Sequence, residues 1–374
     1  MTSSTLNTQL AMLVDDAVAA QRIPGAVLRI EKQGLCVFEQ AFGRHNVERD
    51  IAQQPQDRFF LASATKPIAA SVIAAVCDDG LLDLDSPPLR QLPQLHRLSL
   101  RDGERVRAPK LNEMLSHMAG MFGVHGASEQ QKKLLWNFDV PLATAVERIL
   151  AQPLDYPPSK SFSYGGASIL AAARAAEIAT GQDFEQLLRT YITAPLGMSD
   201  TTYRPHAGGR RRPVSPLYRP QQDRQSGFER SKFQPPGKDA ALLLASGGLI
   251  STAQDLARFI HMHIKAGVWN NKPVLSPTTA VRCHHDHGHG LVRPQKANET
   301  DDGVLRRARG YGLGWTLQEL NADGNANVIY HSGASGSLLW ADLTTGLNIV
   351  LLTHVMQTDL SELWDAIVKT SKEL

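Results

Sequence analysis

Ser63 and Lys66 stand three residues apart in Leu61-Ala62-Ser63-Ala64-Thr65-Lys66-Pro67, at the opening of an apolar segment. On a helix this spacing puts both side chains on one face, within reach of each other. A serine hydroxyl is a poor nucleophile at neutral pH and needs a base, which a lysine amine of lowered pKa can supply. The pair predicts an acylated serine with Lys66 in its activating machinery. A Ser-x-x-Lys pattern turns up about once by chance in a chain of this kind, so other stretches must decide its meaning. Two qualify: Ser161-Phe162-Ser163-Tyr164-Gly165-Gly166 precedes an Ala-rich helix, and His331-Ser332-Gly333-Ala334 ends a strand.

The elements that must position these residues follow from periodicity. Leu6, Leu10, Leu13, Ala17 and Val18 recur at helical spacing, and the helix ends before Ile23-Pro24-Gly25. Residues 26–30 and 35–42 read as a hairpin. The Ser63 helix buries Ile68, Ala69, Val72, Ile73 and Val76 and stops at Gly80; Pro67 falls in its first turn, where a missing N–H costs no helical bond. Short helices are expected over 110–118, 142–152, 166–180 and 184–192, and a longer one over 252–266. Residues 205–238, rich in Arg, Pro and Gln, read as a surface excursion or lid. From residue 310 the period returns to strand, over 311–317, 327–331, 337–343 and 347–354. A last helix carries Leu360, Leu363, Trp364, Ile367 and Val368. The pattern predicts an α+β fold: an antiparallel sheet from both ends of the chain flanked by helices, with a large, mostly helical insertion. The expected division is 1–80 plus 301–374 for the sheet part and 81–300 for the helical part, with the site between them.

At 374 residues the chain exceeds a usual single core, and 42% hydrophobic with 20% charged residues is ordinary for a globular protein. Its 39 basic and 37 acidic residues nearly balance, which gives nucleic acid no support as a partner. The three cysteines, Cys36, Cys77 and Cys283, are too scattered for a disulfide framework or zinc knuckle. No run of about 18 apolar residues spans a membrane. The first residues lack a basic segment followed by an apolar one, so the expected location is cytoplasmic, or periplasmic or secreted if a leader has been removed. No Gly-x-Ser-x-Gly, His-Glu-x-x-His or phosphate-binding glycine loop occurs.

The order Ser-x-x-Lys, Tyr motif, Lys/His-Ser/Thr-Gly strand resembles the serine β-lactamase and penicillin-binding-protein superfamily. The likeness is above all to its class C branch, which also holds D-alanyl-D-alanine peptidases and family VIII carboxylesterases. Further stretches match family landmarks in order: Ile23-Pro24-Gly25, residues 80–85, 115–121, 194–201, 246–252 and Tyr311-Gly312-Leu313-Gly314-Trp315. The resemblance implies that Ser63 attacks an acyl carbonyl while Lys66 and Tyr164 share the proton work. Ionising a tyrosine at pH 7 costs about 4 kcal/mol, and an adjacent ammonium lowers that. It also implies an oxyanion hole made by the backbone N–H groups of Ser63 and Ala334, with Ser332 and Gly333 lining the substrate cleft. The implied partner is a small acyl substrate, with no metal and no cofactor.

Two positions depart from the pattern. Where the Tyr motif usually ends in Asn, whose amide touches the substrate's acyl-amide group, this chain has Gly166. Where the third motif usually starts with lysine, it has His331, which favours a carboxylate only if the imidazole is protonated. Both lean toward an esterase or small-amide hydrolase. The alternatives are a true β-lactamase or a D-alanyl-D-alanine carboxypeptidase or D-aminopeptidase, and a catalytically silent ligand-binding relative. His284, His285, Asp286, His287 and His289 form the one metal-like cluster, read as a solvated loop, and Arg210-Arg211-Arg212 reads as solvated surface.

Overall fold

The structure, a computed structural model, describes residues 3–124, 126–205, 212–221, 227–237, 239–292 and 305–374. Its centre is an eight-stranded antiparallel sheet. The strand order is Gly310–Tyr311, Thr316–Leu320, Ala326–Gly333, Ser337–Asp342, Leu347–Thr353, Gly25–Lys32, Leu35–Asn46 and Ile51–Ala52. Strands from the two ends of the chain meet in mid-sheet, with Ile30 opposite Ile349 and Leu28 opposite Leu351. This is the α+β arrangement expected from the sequence.

Side-chain alternation sorts the central strands onto two buried faces. Leu28, Ile30, Trp340, Ile349 and Leu351 pack under the terminal helices Ser3–Ala19 and Ser361–Ser371, with Leu10, Val14, Leu363 and Ile367. Val27, Ile329, Leu339, Val350 and Leu352 face the larger core, which holds Ile68, Val72 and Ile73 of the helix Lys66–Asp78. Ala253–Ile264, a helix from within residues 81–300, contributes Leu256, Phe259 and Ile260 to that same core. Its Ala257 carbonyl accepts a hydrogen bond from Asn348 Nδ2 on the sheet (3.2 Å).

Four local expectations are corrected. Residues 311–317 do not form one strand: Gly312 N–H donates to the Trp315 carbonyl (2.8 Å), and the chain folds back as a tight hairpin whose Leu313 and Trp315 are nonetheless buried. The helix expected over 110–118 stops at Leu115, because His117 takes a left-handed backbone (φ 61°) that carries its ring inward. The helix expected over 184–192 is α-helical only over Phe184–Leu188 and continues as a wider π turn over Arg189–Thr193. The excursion 205–238 is not wholly superficial. Its described part includes the hairpin Tyr218–Pro220 and Phe228–Arg230, and Leu217 and Tyr218 are fully buried. Arg212 pairs with the buried Asp57; Arg210 and Arg211 lie outside the described residues.

No helix among the described residues is long and apolar enough to cross a membrane.

Candidate active site

Ser63 sits on a 3₁₀ turn, Ala62–Thr65, that runs into the helix Lys66–Asp78. The preceding residue, Ala62, has φ 47°, a left-handed conformation that disfavours any residue with a Cβ. Its surroundings hold it there. Leu61 N–H donates to the Leu249 carbonyl (2.9 Å), and the Leu61 carbonyl accepts from Ala64 N–H (3.2 Å) and from Ser337 Oγ (2.9 Å). Thr65 Oγ1 accepts from Leu249 N–H (3.2 Å), so the stretch Ser246–Ser251 is stitched along the turn.

The strand Ala326–Gly333 reaches the same turn at its last residue. A Cβ on Gly333 would stand 2.1 Å from the Leu61 carbonyl oxygen and 3.2 Å from Ala64 N, so only glycine allows this approach. Gly333 opens a turn closed by Gly336 N–H to the Gly333 carbonyl (2.8 Å), with Ala334 as its second residue. Ala334 packs with Ala62 in one small apolar cluster.

Lys66 Nζ donates to Ser63 Oγ (3.0 Å) and to the Ser246 carbonyl (3.0 Å). It also lies 4.8 Å from the centre of the Tyr164 ring. Tyr164, only 6% exposed, precedes the helix Ala167–Thr180 and is wedged by His117, whose ring centre is 4.8 Å away.

Behind Tyr164, three buried side chains form a polar chain. His331 Nδ1 is 2.7 Å from the Ser332 carbonyl, so it carries the proton, and Nε2 is then the acceptor. Tyr311 Oη donates to His331 Nε2 (3.0 Å), with the Gly314 carbonyl (3.3 Å) as a second acceptor of the same proton. His117 Nε2, 3.3 Å from Tyr311 Oη, is left as the donor. Burial first, and the nearby Lys66 second, hold both imidazoles well below the ordinary histidine pKa. His331 is therefore a neutral, fully buried imidazole, not the protonated carboxylate receptor that its place in the motif could have supplied.

An aromatic cluster adjoins the Ser63 turn. Phe233 packs against Phe60 (5.6 Å between ring centres), Trp136 (5.9 Å) and Phe138 (6.3 Å), and belongs to the cluster that holds Ala62 and Ala334. Trp136 is 47% exposed at the outer end of this cluster.

Ser63, Lys66, Tyr164, His331, Gly333 and Ala334 are thus drawn together, while Ser332 is buried behind them. Gly166 faces Ser246. Sequence reasoning gave no role to His117, Tyr311 or Ser246, although each lies inside a landmark stretch, and missed the Trp136–Phe233 wall. A buried polar residue in an otherwise apolar landmark was the available signal. The histidine run is spread out: His284 Nε2 pairs with His263 Nδ1 (3.0 Å), His285 Nδ1 meets Asn325 Oδ1 (3.3 Å), and His287 Nε2 meets the Arg282 carbonyl (3.0 Å). Among the described residues no three His, Cys, Asp or Glu side chains group to hold a metal ion.

A family model described as Beta-lactamase matches residues 10–372. The chain is 25% identical to Esterase EstB of Burkholderia gladioli, over 96% of this chain and 93% of that protein. It is 27% identical to Penicillin-binding protein 4 of Amycolatopsis lactamdurans, over 89% of this chain and 81% of that one. Among solved structures, EstCE1, described as a hydrolase with promiscuous acyltransferase activity, superposes with a TM-score of 0.80 at 18% identity, covering 99% of each chain.

Proposed function

The chain belongs to the Beta-lactamase family, and from that membership and the geometry we propose a serine acyl-hydrolase that works through an acyl-enzyme on Ser63 and cleaves esters or small amides. The observation that carries this reading is Lys66 Nζ at 3.0 Å from Ser63 Oγ, on a turn locked from both sides. Ser63 Oγ attacks the substrate carbonyl, and its proton passes through Lys66 and Tyr164 to the leaving oxygen or nitrogen. The alcohol or amine departs, leaving the acyl group on Ser63. Water then attacks the acyl-enzyme, gives its proton back along the same route and releases the carboxylic acid. The N–H groups of Ser63 and Ala334 receive the carbonyl oxygen in both steps; such donors are worth about 3–4 kcal/mol to a transition state.

Two features support an ester over a β-lactam or D-alanyl peptide. The neutral, buried His331 offers no cation for a substrate carboxylate, and Trp136 and Phe233 offer an apolar track for an alkyl group. The test is turnover of a short p-nitrophenyl ester, together with intact-protein mass after a fluorophosphonate. Wild type should hydrolyse the ester and gain one adduct, and Ser63→Ala should do neither. No adduct on Ser63 and no hydrolysis above the Ser63→Ala background sinks the proposal and leaves a ligand-binding relative. Faster turnover of a chromogenic cephalosporin than of the ester replaces it with a β-lactamase.

A further inference from the structure

The family's Asn position is empty of side chain at Gly166, but the space is not empty. A Cβ on Gly166 would lie 2.7 Å from Ser246 Oγ and 3.4 Å from Ser246 Cβ, with Leu135 Cδ1 next at 3.8 Å. An asparagine at 166 and the present Ser246 rotamer therefore exclude each other. Ser246 is only 5% exposed. Its carbonyl holds Lys66 Nζ (3.0 Å), which in turn reaches Ser63 Oγ (3.0 Å). Its hydroxyl makes no hydrogen bond among the described residues, so its donor and lone pairs stand unspent on the residue whose carbonyl holds Lys66.

Resting on the serine acyl-hydrolase reading, we propose that Ser246 Oγ, admitted by Gly166, is the polar contact for the acyl half of the substrate. Lys66 Nζ bridges the Ser246 carbonyl and Ser63 Oγ, which sets residue 246 beside the acyl group that Ser63 would carry, next to its carbonyl carbon. An asparagine amide offers a carbonyl and two N–H donors, enough to satisfy an acylamino arm. A single hydroxyl satisfies one polar atom. The pair selects acyl groups with one heteroatom next to the carbonyl, of the alkoxy- or hydroxyacyl class, over acylamino ones.

The test compares p-nitrophenyl methoxyacetate with p-nitrophenyl butyrate, two acyl groups of nearly equal shape that differ by one oxygen for one methylene. The readout is the methoxyacetate-to-butyrate ratio of kcat/KM in wild type, Ser246→Ala, Gly166→Ala and the double variant. Intrinsic ester reactivity and any loss of folded protein cancel when ratios are compared. Ser246→Ala should lower the ratio about fivefold, the value of one net hydrogen bond. Gly166→Ala, which pushes the hydroxyl aside, should lower it similarly, and the double variant no further. Equal losses on both esters, an unchanged ratio, or losses that add overturn the inference. If wild-type Ser63 takes up no fluorophosphonate and neither ester is hydrolysed, the parent reading fails instead.

Discussion

Replacing Gly333 by alanine tests the claim that the third-motif strand closes the oxyanion site by backbone contact. The added Cβ would stand 2.1 Å from the Leu61 carbonyl oxygen, where real Cβ atoms keep at least 3.0 Å, and 2.6 Å from Ser337 Oγ. Neither backbone can yield freely, because the Leu61 carbonyl already accepts from Ala64 N–H and Ser337 Oγ while Leu61 N–H is tied to Leu249. A separation of roughly 1 Å must open between strand and turn. Such overpacking costs about 1–3 kcal/mol of stability. The same displacement moves Ala334 N–H away from the carbonyl oxygen that Ser63 would attack, and misplacement by about 1 Å is worth roughly 100-fold in rate. The assay is p-nitrophenyl butyrate turnover, normalised to folded protein by near-UV circular dichroism, with Gly237→Ala, a position open on all sides, as control. A folded Gly333→Ala protein with kcat within about threefold of wild type would refute the reasoning.

Three further outcomes are expected. His284, buried, has its pKa pushed down to about 3 by desolvation, against an ordinary 6.5. The unfolded chain therefore binds more protons below pH 6.5, and stability should fall as the pH drops from there toward 3, by about 2 kcal/mol at pH 5 for this residue alone; a Tm that stays flat between pH 7 and 5 contradicts it. Asp57 accepts from Gln53 Nε2 (2.6 Å), Gln54 N–H (2.7 Å) and Arg212 in a fully buried setting. Asp57→Ala should cost about 2–4 kcal/mol in urea unfolding and speed proteolytic nicking near Arg212. Trp136→Ala should lower the octanoate-to-butyrate preference about tenfold if the aromatic wall takes an alkyl chain, and an unchanged chain-length profile would discount that wall.

Much of this arrangement was legible because it is written in short-range periods. The spacing of Ser63 and Lys66 survives even though the two residues are not on one α-helix: side chains three apart also eclipse on a 3₁₀ turn. The sheet was legible from runs such as Leu347–Thr353, buried on both faces. What escaped was tertiary. Tyr311, Leu313, Trp315 and Leu317 alternate as one strand would through residues 311–317, and nothing in that period says that Gly312 and Trp315 close a turn. The Lys110 helix stops where His117 turns inward to Tyr164 and Tyr311, a preference set by partners 47 and 194 residues away rather than by local propensity. Gly166 read as a missing side chain because the hydroxyl that fills its space comes from Ser246, on another segment.

The pairing of Gly25–Lys32 with Leu347–Thr353 has a consequence for biosynthesis. The turn bearing Ser63 emerges from the ribosome well before the strand that closes it, Ala326–Gly333, and the strand that completes the mid-sheet, Leu347–Thr353. Until then the hairpin of residues 25–46 presents an unpaired apolar edge, the kind of surface that chaperones cover and that neighbouring nascent chains can capture. Closing a loop of this span also makes the sheet slow to nucleate. The Ser63 turn lacks its closing strand until that strand has been made, so a chain terminated before it yields an aggregation-prone fragment rather than a folded enzyme.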